Sequence, residues 1–272
     1  MPGALLKAAH AGPSFAVTGI GTALALQAGR GLPGSLLLGS ALLSGQLAIG
    51  WTNDLVDRER DVAAGRTDKP LATGAVPVRT ARLAATVALV ACVPLSLANG
   101  WRSGLTHLVA VAGGLAYDLG VKRTRWSFLP FAVSFGLLPS VVTLSLPGHP
   151  WPPWWATAAG ALLGVVAHLA NALPDLDDDR AAGVLGLPQR LGAARSRALG
   201  GVLLGAAAVL LAVAPPGPVG AAGLVLLAVT AGLLTAAFAV RWPPSSRAPF
   251  ALTTAAALTV VALLLGRGTG LA

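Results

Sequence analysis

The chain is expected to fold as an all-α, polytopic membrane protein with about nine transmembrane helices. Three observations carry that expectation. Hydrophobic residues make up 55% of the 272 and charged residues only 11%, with a mean hydropathy of +0.74, a balance that does not suit a water-soluble core. Apolar runs near the ~20 residues that span a bilayer recur along the whole length. The basic residues collect in alternate junctions between those runs, as they do where loops face the cytoplasm.

Taken in order, the runs cover about 13–29, 33–52, 81–99, 103–119, 127–146, 153–173, 196–214, 217–240 and 247–266, all within a single domain, 1–272. The first follows Lys7 and a Pro/Gly break, without the short apolar region and cleavage site of a secretory signal, so it is expected to be retained. The third holds Cys92, the only cysteine, which excludes an intrachain disulfide and a Cys-based metal site. The sixth opens on Trp151, Trp154 and Trp155 around Pro152 and Pro153, the composition of an interfacial aromatic belt.

With the N-terminus cytoplasmic, 16 of the 19 Lys and Arg fall on the cytoplasmic side, Arg241 and Arg247 among them, leaving Arg30, Arg102 and Arg267 outside with the C-terminus. All ten acids fall on the cytoplasmic side as well, between Asp54 and Asp68, at Asp118, and between Asp175 and Asp179. The net charge of +9 is therefore accounted for by inside-facing arginines near anionic lipid and calls for no nucleic acid. Nothing in the sequence calls for an obligate protein partner.

The acids belong to a repeated skeleton. Asn53, Asp57, Asp61, Gly65, Pro70, Gly74 and Arg79 recur, offset by a constant 118, as Asn171, Asp175, Asp179, Gly183, Pro188, Gly192 and Arg197. In each copy the Asn and two Asp stand at i, i+4 and i+8, one face if the segment is helical. Four runs separate the copies, an even number, so both emerge on the same side and the duplication is parallel, with motif helices near 33–61 and 153–179. An Asp in hydrocarbon costs ~2.5–3.5 kcal/mol, so these residues are expected at the membrane edge or around a wet cavity. Hard oxygen ligands on facing helices suit Mg²⁺, two or more ions bridged by a diphosphate. The nearby Arg66, Lys69, Lys122, Arg123 and Arg190 are natural clamps for diphosphate oxygens. His168 lies one turn before Asn171 and reads as a packed or pocket-lining residue, whereas His10, His107 and His149 show no ligand spacing.

These residues resemble the UbiA superfamily of intramembrane prenyltransferases. Asn53-Asp54-Leu55-Val56-Asp57-Arg58-Glu59-Arg60-Asp61 is similar to that family's NDxxDxxxD, and Asp175 to Asp179 matches its DxxxD. Lys69-Pro70 resembles the basic-Pro element that follows the first motif, and Tyr117 to Lys122 the Tyr-to-Lys motif between the two, here with four intervening residues where the family often shows three. No arginine lies within the first run, so an N-terminal contact to the diphosphate falls to Lys7 or His10.

The resemblance implies a helical bundle with a central cavity that opens laterally to lipid under cytoplasmic loop helices. It implies a prenyl diphosphate substrate, with Asn53, Asp57 and Asp61 on one Mg²⁺, Asp175 and Asp179 on another, and Asp54 and Asp178 as additional ligands. Arg66, Lys69, Tyr117, Lys122 and Arg123 then bind diphosphate, while Trp51, Asn171 and His168 line the pocket, Trp51 or Tyr117 offering an aromatic face to an allylic cation. Membrane lipid delivers the prenyl tail, and an aromatic compound is one candidate acceptor, with Asp178 as its activating carboxylate. The same motifs serve a terpene cyclase acting on the diphosphate alone. A divalent-cation transporter fits less well, because all the acids lie at one membrane edge.

Overall fold

A computed structural model of the protein describes residues 2–240 and 248–271, with Arg241 and Arg247 outside the described residues. Twelve α-helices and no strand are present among the described residues. Two helices, α1 (Pro2–Ala8) and α2 (Ala11–Gln27), precede the long α3 (Gly31–Ala63). They are followed by α4 (Val78–Leu97), α5 (Trp101–Leu119), α6 (Leu129–Thr143) and α7 (Trp154–Ala172). Two short helices, α8 (Leu176–Ala181) and α9 (Leu187–Leu191), come before α10 (Ala193–Val213), α11 (Ala221–Ala239) and α12 (Ala248–Gly266).

The nine longer helices follow the nine apolar runs in order. Five of them, α3, α4, α7, α10 and α11, are long and apolar enough to cross a membrane by length and composition. The α6 helix and residues 251–266 of α12 are apolar but shorter. The largest departure from the expected boundaries is at α3, which stays helical eleven residues past the apolar run, through the whole first motif to Ala63. Nothing in Asn53–Ala63 breaks a helix, and Arg60 pairs with Asp57 one turn earlier.

Each long helix packs on its neighbours in sequence, and the ring closes where α12 and α6 meet α2. Lipid gives helices no hydrophobic drive to associate, so small residues that let backbones approach set the tightest contacts. On α7, a Cβ at Gly160 or Gly164 would collide with the carbonyl oxygens of Phe135 and Phe131, which fixes α7 against α6. Leu24, Leu138, Trp155, Leu204 and Val260 fill the ring's interior. Trp155 is therefore a core residue, only 2% exposed, and the expected aromatic belt reduces to the exposed Trp151 and Trp154.

At the end away from the acids, the Arg30 guanidinium donates to the Ser145 carbonyl and, at 2.8 Å, to Asn99 Oδ1, tying three loops together. At the acidic end, Gly50 has no Cβ to clash with the Ala9 carbonyl oxygen, so the α1–α2 junction lies directly on α3. That approach carries His10 to the first motif.

Candidate active site

The two motifs share their ending and differ in their middle. The last aspartate of each motif closes a helix in the same way: the N–H of Arg66 donates to the Asp61 carbonyl at 3.0 Å and that of Val184 to the Asp179 carbonyl at 2.8 Å. The intervening Gly65 and Gly183 take φ of 65° and 74°, the left-handed cap glycine favours. Gly74 and Gly192, also matched by the repeat, take 75° and 81°. The middle is where the expectation of one helical face fails for the second copy. There α7 stops at Ala172, Asp175 lies in a non-helical turn and α8 restarts at Leu176, because Pro174 has no N–H to continue the helical hydrogen bonds.

The acids of the two motifs and the basic residues near them form a lattice of ion pairs. Asp54, 1% exposed, accepts from Lys69 Nζ at 2.9 Å, and its Oδ1 lies 3.0 Å from His10 Nε2. Asp57 accepts from the buried Lys122 Nζ at 2.5 Å. Arg60 joins the motifs, with one Nη 3.1 Å from Asp57 Oδ2 and the other 3.1 Å from Asp179 Oδ1. Asp175 pairs with Arg66 at 2.8 Å, and Arg66 also holds Asp68 at 2.8 Å. Those hydrogen bonds from Arg66 hold the Asp68 carboxyl down at about 2. Burial raises the Asp179 carboxyl above its ordinary value, against the opposing pull of Arg60 and a 2.8 Å hydrogen bond from Gln189.

Below the lattice lies a cavity of about 380 Å³, bordered at its polar end by His10, Asn53, Tyr117, Asp118 and Asn171, and deeper by apolar side chains such as Phe131 and Leu138. Asn53 donates to Asp118 Oδ1 at 2.7 Å. The Oδ2 atoms of Asp54 and Asp118 are buried without a hydrogen-bond partner, and Asp61 is buried without an ion pair among the described residues. No group of three metal-binding side chains is preassembled among the described residues. The donor set nonetheless fits Mg²⁺: it is all oxygen, Asp54 Oδ2 lacks a partner, Asp61 lacks an ion pair, and Asp57, Asp175 and Asp179 are held by cations that can be exchanged.

Most of the expected site residues meet here, and a few do not. Asn53, Asp54, Asp57, Asp61, Asp175, Asp179, Arg66, Lys69 and Lys122 enter the lattice or its immediate shell, while Tyr117 and Asn171 line the cavity. Asp178, on α8, and Arg123, in the turn after α5, are exposed and join no ion pair among the described residues. Trp51 turns away from the cavity, donating to the Leu5 carbonyl at 2.8 Å and packing near Ala8 and Leu71. His168 is packed rather than lining: it stands edge-on to Tyr117, and its Nε2 lies 3.0 Å from Ser127 Oγ. Ser127 Oγ also accepts the Leu187 N–H at 2.8 Å, and a Cβ at Gly186 would clash with the Lys122 carbonyl oxygen. The loop after the second motif thus seats the lysine that reaches the first.

The sequence reading missed Arg60, Gln189 and the cavity role of Asp118. Arg60 had a readable signal, standing one turn from Asp57 on the motif face. Gln189 had none.

A membrane-type helical ring, with paired acids and bases at one end of an apolar cavity, defines an intramembrane enzyme class that handles a charged group on an apolar substrate. The chain belongs to the UbiA prenyltransferase family, which it matches over residues 14–255. Among solved structures, it is similar to a UbiA homologue from Archaeoglobus fulgidus bound to GPP and Mg²⁺, with a TM-score of 0.72 and 20% identity over 97% of this chain and 98% of that one. A UbiA homologue from Aeropyrum pernix K1 gives a TM-score of 0.68 and 23% identity over 93% of this chain and 95% of that one. A digeranylgeranylglyceryl phosphate synthase gives 0.67 and 17%, covering 98% of each. No curated protein matches the chain.

Proposed function

We propose that this protein is a Mg²⁺-dependent intramembrane prenyltransferase, moving an isoprenoid chain from a prenyl diphosphate to a lipophilic or aromatic acceptor with release of diphosphate. The observation that carries the reading is the set of exchangeable ion pairs. Asp54, Asp57, Asp175 and Asp179 each hold Lys69, Lys122, Arg66 or Arg60. These carboxylates would hold Mg²⁺ in the substrate complex and the released cations would turn to diphosphate oxygens, so that no buried charge would be left alone. Asn53, Asp57 and Asp61 would hold one ion and Asp175 and Asp179 another, with Asp54 as an additional oxygen. Bound there, Mg²⁺ supplies neutralisation of the charge that grows on the leaving diphosphate.

The chain's own groups do the rest. Lys69, Lys122 and Arg66 orient the diphosphate and stabilise it as it leaves. Tyr117 and Phe131 face the substrate from an apolar wall that excludes water and offers ring faces to an allylic cation. The prenyl tail partitions into lipid at ~0.8 kcal/mol per CH₂, which accounts for a site inside a membrane. Asp118 supports transfer over cyclisation, because its unpartnered oxygen in the cavity wall suits an acceptor hydroxyl.

The same proposal includes nine membrane crossings, a cytoplasmic N-terminus and acidic end, an external C-terminus, and the two motif segments as halves of a parallel duplication. The matched left-handed glycines support the duplication. Incubation with geranyl diphosphate and Mg²⁺, followed by mass spectrometry of the products, tests the activity. Prenylated product that appears only with an acceptor and vanishes with chelator is expected, whereas a terpene hydrocarbon or alcohol formed without acceptor would replace transfer by cyclisation.

A further inference from the structure

The central cavity is polar at both ends. Its lining runs from Asn53 to Leu42 on α3 and from Asp118 to His107 on α5, eleven residues in each case, or about 16 Å at the helical rise. Ile49, Val111 and Phe135 keep the walls between apolar, but His107 forms the floor with Leu42 and Val141, and Gln46 stands one turn above Leu42. Polar side chains at membrane depth are costly, and they persist where they face a cavity. His107 is only 4% exposed, and neither it nor Gln46 has a part in the diphosphate chemistry.

Hydrogen bonds behind the ring settle which nitrogen carries its proton. The Ser96 hydroxyl donates to the Cys92 carbonyl at 2.6 Å, so its oxygen accepts from His107 Nδ1, 2.7 Å away. The proton is therefore on Nδ1, and Nε2 is a bare acceptor. A Cβ at Gly45 would come within 3.2 Å of Nε2, so the bare backbone of α3 leaves that nitrogen open, and it has no hydrogen-bond partner among the described residues. The Gln46 amide also makes no hydrogen bond among the described residues. Gly45 lies eight residues, about 12 Å, below Asn53, whose amide is bound to Asp118. The unpartnered Oδ2 of Asp118 and His107 Nε2 thus stand about 12 Å apart along the cavity. Two hydrogen bonds of ~2.8 Å leave roughly 6 Å, close to the span between para oxygens on one six-membered ring.

We propose that His107 is a second anchor for the acceptor, taking a hydroxyl that does not react, with Gln46 above it to pair with a neighbouring polar atom. An acceptor held by one oxygen at Asp118 and by another at His107 is compact, one ring with hydroxyls at opposite ends, and it stands end-on in the cavity. The two contacts fix which of its atoms meets the prenyl group, so His107 sets specificity. Ser96 is a positioning residue, holding the tautomer that makes Nε2 an acceptor. The acceptor role rests on the prenyl-transfer reading above, whereas the hydrogen-bonding site itself does not.

The test uses the full chain, ¹⁵N-labelled at histidine, in phosphatidylcholine nanodiscs, with hydroquinone as the probe. Magnetic resonance should show His107, identified by the signals lost in His107→Phe, with a protonated Nδ1 and a bare Nε2. Hydroquinone should shift the Nε2 signal saturably, whereas 1,4-dimethoxybenzene, which has no O–H to donate, should leave it in place. Ser96→Ala should let the proton pass between the two nitrogens and move both signals without any ligand. His107→Phe should weaken hydroquinone binding about tenfold, the loss of one hydrogen bond in an apolar site, and His107→Gln, which keeps an acceptor oxygen, should recover most of it. Affinity for 1,4-dimethoxybenzene should be the same in all three proteins. An Nε2 signal that hydroquinone does not move, or that 1,4-dimethoxybenzene moves equally, would overturn the anchor. If Nε2 responds as expected while no Mg²⁺-dependent prenylation occurs, the anchor stands and the reaction assigned to the protein fails. Prenylation of hydroquinone at an unchanged rate in His107→Phe would keep the reaction and remove the anchor.

Discussion

The first motif is built into an unbroken helix and the second into a broken one, although the sequence spacing of the two is identical. On α3, Asn53, Asp57 and Asp61 are one turn apart on a rigid rod, and the aspartates are nearly inaccessible, Asp57 at 6% and Asp61 at 4%. In the second copy Pro174 ends α7, and the side chain of Asp175 stands 41% exposed on a turn. A rod fixes its ligands before anything binds, whereas a hinge between a long helix and a six-residue one lets its ligands move. The comparison teaches that equal spacing sets which residues face the site, while one proline decides how firmly they are held.

The largest expected effect breaks the symmetry of function and stability. Asp57→Asn and Asp175→Asn should each lower kcat/KM for geranyl diphosphate by at least roughly 100-fold, the loss of a group that acts on the transition state. Their stabilities should diverge. Asp57→Asn leaves the buried Lys122 without its anion and should cost about 3–5 kcal/mol, whereas Asp175→Asn removes a half-exposed pair worth about 0–1 kcal/mol. Thermal unfolding in detergent reads both, and equal destabilisation would erase the contrast between rod and hinge.

A smaller effect sharpens the role of the break. Pro174→Ala should let α7 continue toward α8, turn Asp179 away from Arg60 and cost roughly tenfold to 100-fold in kcat, as misplacement of a binding group does. Helical content should rise by circular dichroism. Wild-type activity with raised helicity would show that the hinge is not needed.

Much of this was legible in the residues. The apolar runs, the matched glycines and the i, i+4, i+8 acids gave the helices, the common end and the membership of the site. Pro174 was readable too, yet spacing alone hides what a proline does to a helical face. What stayed hidden was pairing: one sequence of acids and bases admits many neutral lattices, and only the approach permitted by Gly50 and Gly186 selects His10 for Asp54 and Lys122 for Asp57. Trp51 was misplaced because an aromatic residue near a motif can face either the cavity or the neighbouring helix, and His168 takes the packed one of its two readings.

The smallest effect concerns Asp68, beside the hinge partner Arg66. Its folded value of about 2 lies below the ordinary carboxylate value of 3.8, so the unfolded chain takes up the proton first. The stabilisation is present above about pH 4 and is lost as pH falls through about 2. Because the pair is exposed, it should amount to no more than about 1 kcal/mol. Acid titration of the unfolding temperature for wild type and Asp68→Asn should show curves that converge below that window, and a constant offset would remove Asp68 from the network.

The central claim is that carboxylates of both motifs and the cations they now hold exchange partners together when Mg²⁺ and diphosphate arrive. Calorimetric binding of a non-reacting thiol-linked geranyl diphosphate analogue, with and without Mg²⁺, tests it most directly. The account predicts that the analogue binds wild type at least roughly 100-fold more tightly with Mg²⁺, and that this gain disappears in both Asp57→Asn and Asp175→Asn. Binding that is equally tight in the presence of chelator, or a Mg²⁺ gain that survives in either variant, would contradict it.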